Sequence, residues 1–529
     1  MPSFLIQEGN QYLDSWLYKY SSSEGRMLDD DASTTQDPIV YKAPYHAGVM
    51  VDPHLDEIQA ADWTSIIKDN KSLRKLLQTY FLTEYTYFPA FQKDHFLQDM
   101  ASGRKEYCSS LLVHAVLASA CHGYSTTNHR SRFWDPETLG YQCLAEARRL
   151  WELEMGHAKL TNIQAAIVLA VVYDANGRDE EGRAYLVQAV AAAYAMQLFS
   201  SQKNSDDREF NSRAATAWGL FGLQAYVSLP HFTIKLTDNS VHSFHVFKPP
   251  LLLMPPSIPL PEQDECYGDF VLRFPSAKGP VTVKYAKTFR TLSEFRLIMN
   301  DVAAVFFSDL NNTPEATVDR IKGFCIRLDS WYKTLPPDLE AREISFPWQL
   351  KLHMHYYNLI IYLLETLRMT STPALIDKGV QKVLSDAKIR LETLLRLYYL
   401  RHGFGSYDIF VIGLLAFVGF MQAKTLQSSE TTGLESRRST VVLVAKGLQD
   451  QSQNCYLARL VLRILKSSVG SDNQFLLEEV DDEQDDGEED KVMEEQVKSS
   501  WPIDLEWIDV DPEERRLENL IRRTKELDV

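Results

Sequence analysis

Residues 80–121 read YFLTEYTYFPAFQKDHFLQDMASGRKEYCSSLLVHAVLASAC, and this stretch decides the fold. Its last third is apolar on nearly every side. Leu111, Leu112, Val113, Ala115, Val116, Leu117, Ala118 and Ala120 follow Ser109 and Ser110, and either serine can cap a helix. A helix that is hydrophobic all round belongs in the interior of a globular domain. This one is too short to cross a bilayer. Before it, the aromatic-rich residues 85–91 separate two helical patterns.

The helical grammar continues on both sides. Leu73, Leu76, Leu77, Tyr80 and Phe81 recur at the spacing of an amphipathic helix. Asp135-Pro136 predicts a helix start, with Leu139, Cys143, Leu144, Ala147, Leu150 and Trp151 on its apolar face. Thr161 and Gln164 have the spacing of a capping box before a further helix that ends at Asn176-Gly177. Helices are predicted over 184–199, 213–226 and from about 286, then from Thr313-Pro314, over 348–369, from about 373 to 401, over 409–422 and over 441–467. Six prolines between 249 and 261 break the pattern and predict a long extended crossing. The one strand-like pattern is a weak hairpin near 271–285. The expected fold class is therefore all-α, a large multi-helix array of a dozen or more helices with one Pro-rich extended crossing.

The two ends differ from the middle. Residues 1–60 are weakly patterned, although Phe4, Leu5, Tyr12, Trp16 and Leu17 suit one short amphipathic helix. Residues 61–475 carry the helices, and 476–500 form an acidic linker whose block EEVDDEQDDGEED is expected to be disordered. In 501–529, Trp501, Leu505, Trp507 and Ile508 are set among Asp504, Glu506, Asp509 and Asp511. Such alternation suits docking into a coactivator groove. The other reading is that the tryptophans tuck back onto the helical domain, since large aromatics rarely stay exposed without a partner.

Composition narrows the function. The 529 residues carry 55 basic and 72 acidic side chains, a net charge of −17, which argues against the whole chain wrapping a nucleic acid. Six scattered cysteines fit a reducing compartment. No C-x2-C pair occurs, so Cys108, His114, Cys121 and His122 read as packing residues. His353 and His355 would point different ways on a helix. Gly177 and Gly182 have the spacing of a phosphate loop without its lysine, and fit a helix–helix turn better. No nucleophile, base and oxyanion set emerges, and no enzyme is expected. The N-terminus shows no secretory signal, and residues 409–421 are too short to cross a membrane, so no membrane partner is expected.

The stretch at 80–121 resembles the middle homology region, or fungal-specific transcription factor domain, of the fungal zinc binuclear cluster regulators. The family pattern is YF…YxxFPxFxKxxFL followed by CSSLLVxAxLAxAC. Further pieces resemble it in order: FWDPETLGYQCLAEARRLWELE, LTNIQAAIVLAVVYDANG, FKPPLLLMPPSIPLP, LDSWYKTLPPDL, LKLHMHYYNLIIYLLETL, LYYLRHGFGSYD and SSWPIDLEWIDVDPEERRLENLI. The resemblance implies an all-helical regulatory domain of a nuclear regulator of RNA polymerase II transcription, with no catalytic residues. Its implied partners are the transcription machinery or coactivators, with a DNA-binding partner or a homodimer as further candidates. The family's zinc cluster is not encoded in these residues, which counts against direct DNA binding by the chain. No cofactor is expected unless an upstream cysteine cluster supplies zinc. Residues 227–243 match neither the helical period nor the family, and suit either a loop or a retained intron. From a different class, the alternative is a cytosolic helical-repeat scaffold resembling tetratricopeptide arrays, which requires a fixed period of paired helices.

Overall fold

The computed structural model describes residues 1–22, 45–200, 206–228, 249–275, 279–308, 314–370, 378–426 and 433–478, together with residues 480, 493, 497, 519 and 520. Trp501, Leu505, Trp507, Ile508 and the acidic block at 481–490 lie outside the described residues, as does most of 227–243. Sixteen α-helices carry the described fold. They are α1 Trp16–Ser22, α2 Pro53–Glu57, α3 Asn70–Tyr80, α4 Lys93–Ser102, α5 Ser110–Gly123, α6 Leu139–Glu154, α7 Leu160–Ala175, α8 Asp179–Ala195 and α9 Asp207–Val227. The second half adds α10 Ala286–Ser308, α11 Pro314–Lys333, α12 Pro347–Thr370, α13 Lys378–His402, α14 Ile409–Leu426, α15 Leu434–Ser452 and α16 Tyr456–Ser468. A small antiparallel sheet pairs β1 Val49–Met50, β2 Phe270–Arg273 and β3 Val281–Val283 in that order. The hairpin near 271–285 is thus present, with Val271 opposite Thr282.

Three helices are apolar all round and form the posts of the array. Ser109 caps α5 by accepting the Leu112 N–H at 3.2 Å, and α5 packs against α3, α6 and α7. In turn α7 packs on α8, α9 and α16, while α14 is enclosed by α12, α15 and α16. All but a few side chains of these helices are buried. The second half therefore closes over the same core as the first.

Several boundaries differ from expectation. Asp135-Pro136 makes a turn in which the Thr138 N–H donates to Asp135 O at 3.0 Å, and Thr138 rather than Asp135 caps α6. The Thr161/Gln164 capping box does not form. Gln164 is buried and donates instead to Thr216 Oγ1 on α9 at 2.8 Å, and no side chain caps α7. The helix expected over 441–467 is two helices, α15 and α16. The break coincides with Asn454, whose side chain donates to Gly405 O and whose own backbone carbonyl accepts from His122 Nδ1 at 3.0 Å. The apolar run from 409 extends to Leu426, so α14 has the length and composition to cross a membrane, contrary to expectation. It is an interior helix here, with 83% of its residues buried against the protein's own helices. Finally, the N-terminal stretch forms short 3-10 turns at Ser3–Leu5 and Gln11–Asp14 before α1 rather than one amphipathic helix. It drives Tyr12 to full burial.

Residues 81–91 hold these parts in register. The chain leaves α3 through a π-turn, Phe81–Tyr85, a feature that inserts an extra residue and re-aims side chains. The loop that follows is buried, so each of its carbonyls needs a partner. Tyr285 donates to Thr86 O at 2.8 Å, Arg296 donates to Tyr87 O, and Tyr85 donates to Phe91 O at 2.7 Å. Pro89 then presses on α9 so closely that a Cβ at Gly219 would stand 2.2 Å from Pro89 O. One turn on, a Cβ at Gly222 would meet the Arg296 side chain at 2.7 Å. Both glycines are needed for close approach rather than for an unusual backbone angle. We predict that Gly219→Ala destabilises the fold by about 3 kcal/mol, because the neighbour is backbone and cannot rotate away. Urea unfolding of the variant against the parent measures this. A midpoint unchanged within error contradicts it.

Candidate functional site

The aromatic loop, α9, α10, α12 and α14 meet around an interior cluster of charges. Lys351 sits on α12 within WQLKLHMHYYNLIIYLLETL, a run with few other charges. Asp408 immediately precedes α14. Their side chains are 1% and 5% exposed and form an ion pair at 2.8 Å. Tyr398 donates to the same Asp408 oxygen at 2.9 Å, and the Asp408 N–H donates to Gln451 Oε1 at 3.1 Å. Gln451 in turn donates to Phe404 O and Ser406 O. A buried ion pair is costly to form and costlier to break, so this network ties α12, α13, α14 and α15 to one geometry.

Above the pair lies an aromatic layer. Lys351 Nζ stands 5.0 Å from the Tyr87 ring centroid and 5.6 Å from that of Phe410. Phe88 stacks on Phe410 at 4.3 Å, and Tyr87 stacks on His355 at 5.5 Å. On the far side Arg296, also buried, lies 4.2 Å from the Phe88 centroid. Among the described residues no carboxylate pairs with it. Its charge is met by two rings and the Tyr87 carbonyl, an attraction that strengthens when water is excluded.

Glu84 completes the cluster from the π-turn. The Ser119 hydroxyl of α5 donates to it at 2.5 Å. Burial pushes the Glu84 carboxyl up to about 7, and Asp408 adds to the rise against the opposing effects of Ser119 and Lys351. The buried histidines shift the other way. Burial lowers His46, His122 and His353 to about 4 each. His353 Nε2–H donates to Leu339 O at 2.8 Å, so Nδ1 accepts from Tyr12 or Tyr332.

The sequence-based candidates sort as follows. Trp501, Leu505, Trp507 and Ile508 are outside the described residues. His114 bonds Ser110 O and Thr64 Oγ1, and His122 stacks on Tyr407 at 5.1 Å. Cys108, Cys121 and Cys143 are free and buried. His353 and His355 do point apart, one to Tyr12 and the other to Tyr87. Gly177 is the turn between α7 and α8, with φ at +70°. Among the described residues no three His, Cys, Asp or Glu side chains are grouped to hold a metal. Sequence reasoning missed Glu84, Arg296, Lys351 and Asp408. The available signal was charge inside apolar helical runs, which for Lys351 and Glu84 is visible in the sequence.

The model of the family described as "Fungal specific transcription factor domain" matches residues 77–333, from the end of α3 through α11. Those residues are a fungal specific transcription factor domain. Three curated relatives are transcription regulators. The chain is 27% identical over 432 residues to the nitrogen assimilation transcription factor nirA of Emericella nidulans, covering 77% of this chain and 45% of that protein. It is 24% identical over 362 residues to the nitrogen assimilation transcription factor nit-4 of Neurospora crassa, covering 65% and 32%. It is 25% identical over 321 residues to the notoamide biosynthesis transcriptional activator notL' of Aspergillus versicolor, covering 57% and 47%. The chain thus spans about half or less of the length of these relatives. No solved structure matches. The helical-repeat scaffold loses its ground, because the family and these relatives are transcription factors. The domain supplies Glu84, the aromatic loop, Gly219, Gly222 and Arg296, while Lys351 on α12 and Asp408 just before α14 come from the part of the chain that follows it.

Two measurements test the charged centre. Between pH 4.5 and about 7 the folded protein holds a proton on Glu84 that the unfolded chain has released. The stability this group contributes is therefore full below about pH 4.5 and lost as pH rises through 7. Glu84→Gln, which mimics the protonated form, gains on the parent between about pH 5 and pH 8 by on the order of 3 kcal/mol. The histidines oppose this trend in both proteins, so the difference between the two urea curves isolates Glu84. A parallel pair of curves contradicts the assignment. Separately, Lys351→Met leaves Asp408 buried without its cation and costs about 3–5 kcal/mol. Lys351→Met/Asp408→Asn recovers part of that loss in the same assay.

Proposed function

We propose that this chain is the regulatory part of a fungal transcription regulator and acts in the nucleus on RNA polymerase II transcription. The observation that carries this reading is the fungal specific transcription factor domain at 77–333, on a chain whose three relatives above are all transcription regulators. Burial supports a role exercised by contact with other macromolecules. The charged centre is enclosed by aromatic rings and helices, and its titratable groups bond one another, the Ser119 hydroxyl or the backbone. The partners we assign are the transcription machinery or coactivators, with a DNA-binding partner or a second copy as the route to a promoter. Trp501, Leu505, Trp507 and Ile508 are the assigned partner-binding residues, being bulky apolar side chains among carboxylates. No DNA-binding residue is assigned, because the net charge of −17 disfavours phosphate contact. The relatives' names point to different processes, so no target pathway is assigned.

A reporter experiment tests this. The 529-residue chain is fused to a heterologous DNA-binding module upstream of a reporter gene in a fungal host. The expected result is nuclear accumulation and a change in reporter transcription. Trp501→Ala/Trp507→Ala is expected to reduce an activating signal severalfold at equal protein level. A fusion that reaches the nucleus and leaves transcription unchanged overturns the proposal.

A further inference from the structure

From Ala184 on, after an acidic first turn of Asp179, Glu180 and Glu181, the exposed surface of α8 carries no charge. Ala184, Val187, Gln188, Ala191, Tyr194 and Ala195 face solvent, at the i, i+3, i+4, i+7 spacing of one helical face. Val187 and Tyr194 are 47% and 62% exposed. From Ala184 to Ser200 the sequence holds no charged residue at all, whereas a solvent-facing helix ordinarily puts charged side chains on its outer face. Alanines there would let another segment approach the helix backbone closely, with Val187 and Tyr194 as its apolar contacts.

Two further observations say what covers it. The first is where the chain's C-terminal region is anchored. Val497 is buried, and a Cβ at Gly177 would stand 3.9 Å from Val497 Cγ1. Gly177 is the turn that opens α8, so the chain is held beside the start of this helix four residues before Trp501. From 497 to 511 an extended chain reaches up to about 46 Å, and α8 is only about 25 Å long. The second is charge. Arg148 of α6 is exposed and has no ion pair among the described residues. It acts on Tyr173 and Tyr185, the latter on α8, together with Glu181 and, at Tyr185, Glu152, which act with the opposite sign; this places it on one flank of the apolar face. Arg183 lies on the other flank, where it donates to Pro249 O. Asp504, Glu506, Asp509 and Asp511 supply the opposite sign.

We infer that the exposed face of α8, flanked by Arg148 and Arg183, is the docking surface for the chain's own acidic-aromatic segment at 501–511. Tethering at Val497 makes this docking intramolecular, with an effective concentration no free partner reaches without high affinity. The apolar residues of the segment cover Val187, Ala191 and Tyr194, and its carboxylates meet the flanking arginines. While docked, the segment is withheld from any other partner. The inference holds whether or not the segment activates transcription, because it concerns only where the segment lies.

The test uses the full chain and two reciprocal readouts. In the first, a glutamyl endopeptidase cleaves after Glu506. Ala191→Glu puts a like charge in the centre of the face at an exposed position. It is expected to raise that cleavage rate by about tenfold, since cleavage tracks the undocked population, while the thermal midpoint stays put. In the second, hydroxyl-radical oxidation of Tyr194 is compared between the parent and Trp501→Ala/Leu505→Ala/Trp507→Ala/Ile508→Ala. Oxidation is expected to rise severalfold in the variant. This readout stands even if Ala191→Glu misfolds. Unchanged cleavage in a folded Ala191→Glu variant, or equal Tyr194 oxidation, overturns the inference. So does Tyr194 protection that increases with protein concentration and vanishes with a dimer in sedimentation, which would assign the face to a second copy.

Discussion

The carbonyl of Pro89 occupies the space that a side chain on residue 219 would need, and much of the fold depends on that approach. It seats the aromatic loop on α9, places Phe88 under Phe410 of α14, and leaves the Tyr87 carbonyl aimed at Arg296. A buried loop is tolerable only when its polar backbone is satisfied. Here the satisfaction comes from Tyr285 and Arg296, roughly two hundred residues away in sequence. The two parts of the chain are joined by the cost of leaving those carbonyls bare as well as by apolar packing.

The charged centre extends the same logic. Arg296, Lys351, Asp408 and Glu84 are expensive to bury, and each is compensated differently: by rings, by an ion pair, by a tyrosine, or by holding a proton near neutral pH. Compensation of this kind is specific in geometry. Leucines at these positions could fill the same volume in several arrangements, whereas the present set is satisfied in one.

Much of the architecture was legible in the sequence. The all-α class, the buried α5 and most helix positions followed from the 3.6-residue period, and the family pattern at 80–121 named the domain. What failed was local rules overridden by distant partners. Gln164 has capping-box spacing but is taken by Thr216 of α9, and Asn454 breaks a helix pattern because Gly405 and His122 claim it. The centre at Arg296, Lys351 and Asp408 was legible only in part. A lone lysine in an apolar helix is visible in sequence, but the residue that pairs with it 57 positions later is not. Trp501, Leu505, Trp507 and Ile508 were picked out by composition alone.

The enclosure of α14 has a consequence for how the cell handles damaged copies. Its apolar surface is hidden largely by α15 and α16, which are synthesised after it. A frameshift or premature stop between codons 427 and 433 would remove both and leave the 18-residue apolar helix with α12 as its remaining helical cover. Quality-control machinery reads such a helix as a degradation signal or a misdirected membrane anchor. Loss of the last hundred or so residues would therefore be felt first as loss of the protein itself, before any question of lost regulation arises.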